Sequence, residues 1–232
     1  MRQVGERELV HERLADTFDD LLSAYDTQRR LETLIDGFLG RPRIAGRKAL
    51  DVGCGLGFFS ARLVELGADV TACDLGPELV RRTAMLARCE AVVADAMNLT
   101  ATFSPDSFDI VVSSECIEHT PDPYAAVRQM IKVLKPGGLL AISTPNLVWW
   151  PVVKAATMAK VRPFDGLENF STWRGLKRTF GEEGVEVVEE RGLHLFPFQF
   201  GLDRLSSWTD RNCQALRGAM INICLLGRKR PI

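Results

Sequence analysis

Between positions 48 and 144 the chain alternates short, nearly unbroken apolar runs with segments whose apolar residues recur every three or four positions. The runs KALDVG, DVTACD, CEAVVAD, FDIVVSS and GLLAIST have the length of strands and carry apolar residues on both faces. Helical segments stand between them at 58–66, after Pro77, and at 123–134. Parallel neighbours need such crossovers, so the pattern predicts a doubly wound α/β fold, a parallel sheet with helices on both sides. A helix at 173–180 and two more strand-like runs, VEVVEE and AMINICLLGRK, bring the expected sheet to seven strands.

Local chemistry sets the element boundaries. Asp122 can accept the first free N–H groups of a helix, Pro123 suits its first turn, and Tyr124, Val127, Ile131 and Leu134 line one apolar stripe. Lys135-Pro136-Gly137-Gly138 then ends it. Upstream, Val10, Leu14, Phe18, Leu21 and Tyr25 follow helical spacing, as do Leu31, Leu34, Ile35 and Phe38 before Gly40-Arg41-Pro42. The expected organisation is one domain over 1–232, with a helical cap at 1–40, a core at 48–145, a connector or lid at 146–172, and a last helix and strands at 173–232.

With 29 basic and 30 acidic residues the formal net charge is −1, so no overall field draws the chain to nucleic acid. The six cysteines are scattered without a C-x-x-C pair and read as small, reduced core residues. No stretch has the character of a signal peptide or the length of a membrane span, so a cytoplasmic protein is expected.

LDVGCGLGF joins the first strand to the first crossover helix. Glycines there let backbone approach a ligand and aim free helix N–H groups at it. Gly53, Gly55 and Gly57 give G-x-G-x-G, whereas a dinucleotide fingerprint asks for a small residue where Phe58 stands. Asp74 ends the second strand, 21 positions after Gly53, where a carboxylate can accept hydrogen bonds from both hydroxyls of a ribose. Asp51 precedes the glycines and can balance a ligand ammonium. No lysine or arginine lies between positions 49 and 61 to meet a pyrophosphate. A ligand with a ribose, a positive charge and no phosphate fits this turn, and S-adenosyl-L-methionine has that description.

These residues resemble the class I S-adenosylmethionine-dependent methyltransferases. LDVGCGLG is similar to their first motif, FDIVVSSECIEH to their fourth-strand motif, and VLKPGGLLAISTPN to their following turn and fifth strand. The resemblance implies a Rossmann-like sheet with the seventh strand inserted antiparallel. It also implies cofactor contacts from Asp51, Gly53, Gly55, Gly57, Asp74 with Leu75, Asp95 with Ala96 at the adenine, and Ser114. The ubiquinone-biosynthesis O-methyltransferases are similar in downstream layout: S-T-P-N, an apolar connector, a helix, then Gly192-Leu193-His194 and Pro197. That branch implies methylation of a hydroxyl on a small-molecule acceptor. The small-RNA methyltransferases would offer further histidines near 170–173, which this chain lacks, so no nucleic-acid partner is expected.

A hydroxyl acceptor must lose its proton. His119, next to the carboxyl end of the fourth strand, is the first candidate base, with Glu115 beside it. Glu115, Glu118 and His119 are also three potential ligands, which the resemblance associates with a divalent metal. A capping or solvated role for Glu118 and His119 stands equally, and no metal is predicted. LVWWPVVKAATMAKVRPF is expected to wall or cover the acceptor pocket, to pack on the sheet, or to make a peripheral membrane contact through Lys154, Lys160 and Arg162. Phe196, Phe198, Phe200 and Trp208 line the same pocket or belong to the core. Two alternatives stay open: a nicotinamide-dependent oxidoreductase, and a catalytically inactive methyltransferase-like interaction module.

Overall fold

The five apolar runs pair in parallel as expected. In the computed structural model, which describes residues 5–9, 12, 23–159, 166–197 and 201–231, they form β1 (Lys48–Val52), β2 (Asp69–Asp74), β3 (Glu90–Val93), β4 (Phe108–Ser114) and β5 (Leu134–Pro145). With β6 (Val185–Leu193) and β7 (Asn222–Lys229) they make one sheet in the order β3-β2-β1-β4-β5-β7-β6. β7 runs antiparallel between β5 and β6, as the family resemblance implies.

Before the sheet come α1 (Ala24–Leu31), a π-helical stretch (Glu32–Leu39) and α2 (Gly40–Ile44). The crossovers are α3 (Phe58–Glu65), α4 (Pro77–Ala87) and α5 (Pro123–Val133); α6 (Trp150–Met158) lies in the connector, and α7 (Trp173–Glu182) and α8 (Asp203–Asn212) flank β6. Asp122 caps α5 as expected, accepting from Tyr124 N and Ala125 N at 3.0 Å each.

Strand side chains alternate between faces, and both faces are dry. Leu50, Val52, Val111, Leu140 and Ile142 pack with α5 and α7 through Val127, Met130, Leu176 and Phe180. Ala49, Ile110, Val112 and Ala141 face the other way, onto Leu34, Ile35, Phe38 and the α3 residues Phe59 and Leu63. The described part of the N-terminal helical cap is therefore also a layer of the core.

Several boundaries differ from expectation. The N-terminal helix does not end at Gly40; the chain bends there, with φ +65°, and winds one more turn to Ile44. The 146–172 connector contains a helix, α6, with no buried residue, so its apolar side chains are not core. Val10, Leu14, Phe18, Leu21, Lys160, Arg162, Phe198 and Phe200 lie outside the described residues. All six cysteines are free thiols. No helix among the described residues is long and apolar enough to cross a membrane.

Phe38 is fully buried, whereas Phe58 is 38% exposed. Phe38→Ala is expected to lower the unfolding free energy by about 3–5 kcal/mol through the cavity it leaves. Phe58→Ala should change it by about 1 kcal/mol or less. Denaturant titration of the two variants checks both.

Candidate active site

The strand order reverses between β1 and β4, and there the carboxyl ends of the strands open a crevice. The glycine turn lines it. Gly53 has φ +73° and an added Cβ would overlap Cys116, while Gly57, φ +88°, stands against Thr83 of α4. These two glycines let the turn fit against its own neighbours.

The turn is fastened to Asp74. Gly55 N–H donates to Asp74 Oδ2 at 3.0 Å and Gly76 N–H to Oδ1 at 3.1 Å, and the Leu75 N–H also favours the ionised form. A carboxylate has about four acceptor directions, so acceptor capacity remains for a pair of ligand hydroxyls. Burial pushes the Asp74 pKa upward against those N–H groups, and Glu12 adds to the rise. Glu12 accepts from Glu78 N at 2.9 Å and Leu79 N at 3.4 Å, over the first turn of α4.

Asp51 is 2% exposed and accepts from Ser60 Oγ at 2.6 Å. Burial, with a further push from Asp74, raises its pKa to about 6. Asp95 caps the short turn at Ala96–Ala101 by accepting from Met97 N at 2.9 Å, and Ala96 is buried beside it. Asp51, Asp74 and Asp95 thus come from the ends of three adjacent strands, a set of acceptors suited to an ammonium, a ribose diol and an adenine amino group.

Across the crevice the side chains make a different set of contacts. The Ser114 hydroxyl is engaged by Arg30 Nη1 at 2.6 Å and by Ser143 Oγ at 2.9 Å. Glu115 has φ +51°, a left-handed conformation uncommon for a residue with a side chain, and accepts from Ser143 Oγ at 2.9 Å. Burial, then Glu118, push its pKa well above the ordinary glutamate range. Glu118 is 1% exposed and accepts from Thr144 Oγ1 at 3.2 Å, and burial raises its pKa to about 7. His119 Nδ1 lies 2.8 Å from Leu167 O, a carbonyl that can only accept, so this nitrogen carries the proton. Its Nε2 is 3.7 Å from Glu118 Oε1. Glu118 and His119 thus face each other while Glu115 turns to Ser143, and among the described residues no three His, Cys, Asp or Glu side chains gather as a metal site.

An open cavity of about 410 Å³ lies beyond this group, lined by Tyr124, Leu147, Trp150, Glu168, Asn169 and Phe170 among others and by none of Glu115, Glu118 and His119. Asn169 N–H donates to Glu118 O and Asn169 Nδ2 to Thr120 O, both at 2.8 Å, which fastens the end of the connector to the turn bearing Glu118 and His119.

Two residues at this site, Arg30 and Asp26, escaped the sequence reading, and His194 entered it only as part of the Gly192-Leu193-His194 layout. Arg30, 5% exposed, donates from Nε to Asp26 Oδ2 at 3.0 Å, and Asp26 Oδ1 meets His194 Nε2 at 2.9 Å. Burial alone would raise the Asp26 pKa, yet Arg30 and His194 hold it below the ordinary range. A signal did exist. Positions 26 and 30 continue, at i,i+4 spacing, the stripe formed by Leu34 and Phe38, so an acid and a base stand on a buried helix face.

A family model described as a methyltransferase domain matches residues 50–142. A ubiquinone biosynthesis O-methyltransferase from Xanthomonas euvesicatoria pv. vesicatoria is 44% identical over 183 residues, 74% of this chain and 76% of its own. One from Xanthomonas axonopodis pv. citri is 43% identical over 179 residues, covering 72% and 74%. Among solved structures, an S-adenosylmethionine-dependent methyltransferase from Mesorhizobium loti superposes with a TM-score of 0.65 at 19% identity, covering 89% of this chain and 99% of that one. Magnesium protoporphyrin IX methyltransferase from Synechocystis PCC 6803, with bound S-adenosylhomocysteine, gives 0.63 at 14%, covering 99% and 90%. The structures share the fold, and neither the nicotinamide nor the inactive-module alternative gains support from these relatives. The chain therefore belongs to the S-adenosylmethionine-dependent methyltransferase family that includes the ubiquinone biosynthesis O-methyltransferases.

Proposed function

We propose that this enzyme transfers a methyl group to a hydroxyl of a small molecule, in the cytoplasm, with the acceptor seated between Glu115, His119 and the connector. The observation that carries the reading is the Asp74 carboxylate, held by Gly55 and Gly76 at the end of β2 with acceptor capacity left for a diol. Bound S-adenosylmethionine supplies an electrophilic methyl on a sulfonium. Asp74 grips the ribose, Asp95 with Ala96 the adenine end, and Asp51 answers the ammonium. Much of the rate enhancement in an in-line displacement comes from such positioning.

The hydroxyl proton goes to the pair formed by His119 Nε2 and Glu118, with Glu115, held by Ser143, as the second carboxyl of the same turn. The relatives' names point to a phenolic, quinone-like acceptor. An aromatic ring suits a cavity walled by Tyr124, Trp150 and Phe170.

Incubation with S-adenosylmethionine and a panel of phenols, catechols and sugars is expected to yield S-adenosylhomocysteine and an O-methyl product by NMR. Methyl on nitrogen or carbon, or no turnover across the panel, would count against the hydroxyl reading. Asp74→Ala should weaken S-adenosylhomocysteine binding by about 1.5–3 kcal/mol, roughly ten- to a hundredfold, in calorimetric titration. His119→Ala should leave that affinity in place and lower kcat by about a hundredfold or more.

Asp51 gives a pH test. Its pKa is raised from 3.8 to about 6, so the stability contributed by its protonated form is full below about pH 4 and lost as pH rises through about 6. A ligand ammonium favours the ionised form. Affinity for S-adenosylhomocysteine should therefore rise as pH passes upward through about 6, and Asp51→Asn should flatten that rise.

A further inference from the structure

We propose that Arg30 is a positioning residue that sets the direction of a hydrogen-bond chain running through Ser114 and Ser143 to Glu115. The inference rests on reading the carboxyl ends of β4 and β5 as the acceptor side of the site. A guanidinium only donates, and a serine hydroxyl has one proton to give. Arg30 Nη1 donates to Ser114 Oγ at 2.6 Å, so Ser114 is an acceptor at that contact and its own proton is available for Ser143, 2.9 Å away. Ser143 in turn donates to Glu115 Oε1 at 2.9 Å. Three links of one polarity polarise one another, and a cation at the head keeps the chain from running in reverse.

The head of the chain is itself fixed from outside the crevice. Asp26 holds Arg30 through Nε at 3.0 Å, and His194, fully buried after β6, holds Asp26 at 2.9 Å. His194 is seated by Ser206 Oγ at 3.2 Å from Nδ1 and by Asp210, which accepts its backbone N–H at 2.8 Å. Arg29 reaches the same Asp210 at 3.2 Å. The orientation of Glu115, whose backbone already has a left-handed φ, thus depends on α1 being docked against the chain after β6 and against α8.

The test is a cycle of wild type, Arg30→Met, Ser143→Ala and the double variant, with Arg30→Lys beside it. S-adenosylhomocysteine affinity is measured by calorimetry, melting temperature by circular dichroism, and kcat and KM with catechol as acceptor. Affinity for S-adenosylhomocysteine is expected to stay within about threefold throughout, while each single variant loses about tenfold or more in kcat. The double variant should be no slower than the worse single one, because either cut breaks the same chain, and its melting shift should be smaller than the sum of the two. Arg30→Lys, which keeps a cationic donor, should recover part of the lost kcat. Additive losses in kcat and melting temperature, or a lysine variant no better than methionine, would overturn the proposal. If Arg30→Met does not fold, Ser114→Ala replaces it in the cycle, read by kcat and melting temperature alone, since it cuts the chain and leaves the Asp26–Arg30 pair intact. If wild type leaves catechol unmethylated, the functional reading loses support, and the melting cycle still decides the chain: sub-additive shifts uphold it and additive shifts refute it.

Discussion

A parallel sheet covered on both faces meets solvent mainly at the ends of its strands. Here Leu50 and Val111 are dry on one side and Ala49 and Ile110 on the other, so the faces have no room for polar chemistry. The site is forced to the carboxyl ends, where β1 and β4 send their chains to opposite layers. One bank of the resulting crevice carries Asp51, Asp74 and Asp95. The other carries Ser114 and Glu115, with Ser143 contributed by β5. The two banks follow from topology before any side chain is chosen, and the proposed cofactor and acceptor sides rest on that division.

The bank with Asp51 and Asp74 was legible in the sequence because it is local. Gly53, Gly55, Gly57 and Asp74 belong to one strand-turn-helix-strand unit, and their spacing is set by that unit alone. The strand run FDIVVSS was legible for the same reason, since it has no other way to bury both faces, whereas β5 begins at Leu134, ahead of the GLLAIST run and at the turn expected to end α5. The acceptor bank was harder to see, because its contacts cross 84 positions between Arg30 and Ser114 and 168 between Asp26 and His194. A charged residue in a lone helix is read as solvated, and only the tertiary partner shows that it is buried. Ser114 illustrates the difference: its place at the end of β4 was legible, and the hydrogen bonds of its hydroxyl to Arg30 and Ser143 were not.

Burial of ionisable groups costs stability unless each has a partner. Arg30, Asp26 and His194 answer one another, whereas Asp51, Glu115 and Glu118 are left with hydroxyl partners and pKa values displaced upward. Displaced carboxyl groups on both banks suit a reaction in which a cation is bound on one side and a proton removed on the other. The polar cost is offset by the two apolar layers, where residues such as Phe38, Phe180 and Met130 are fully buried.

The π-helical stretch at Glu32–Leu39 joins two halves of one helical rod that do different work. Asp26, Thr27 and Arg30 are buried before it and Leu34, Ile35, Phe38 and Leu39 are buried from it onward. A π turn takes in more residues than an α turn, so the stretch acts as a torsional setting between the polar and apolar halves. Removing one residue there would rotate everything downstream by about 100° relative to Arg30. The greasy side chains and the guanidinium could no longer be seated together, so this short run is a gauge whose length, more than its composition, keeps the Arg30 end in phase with the sheet.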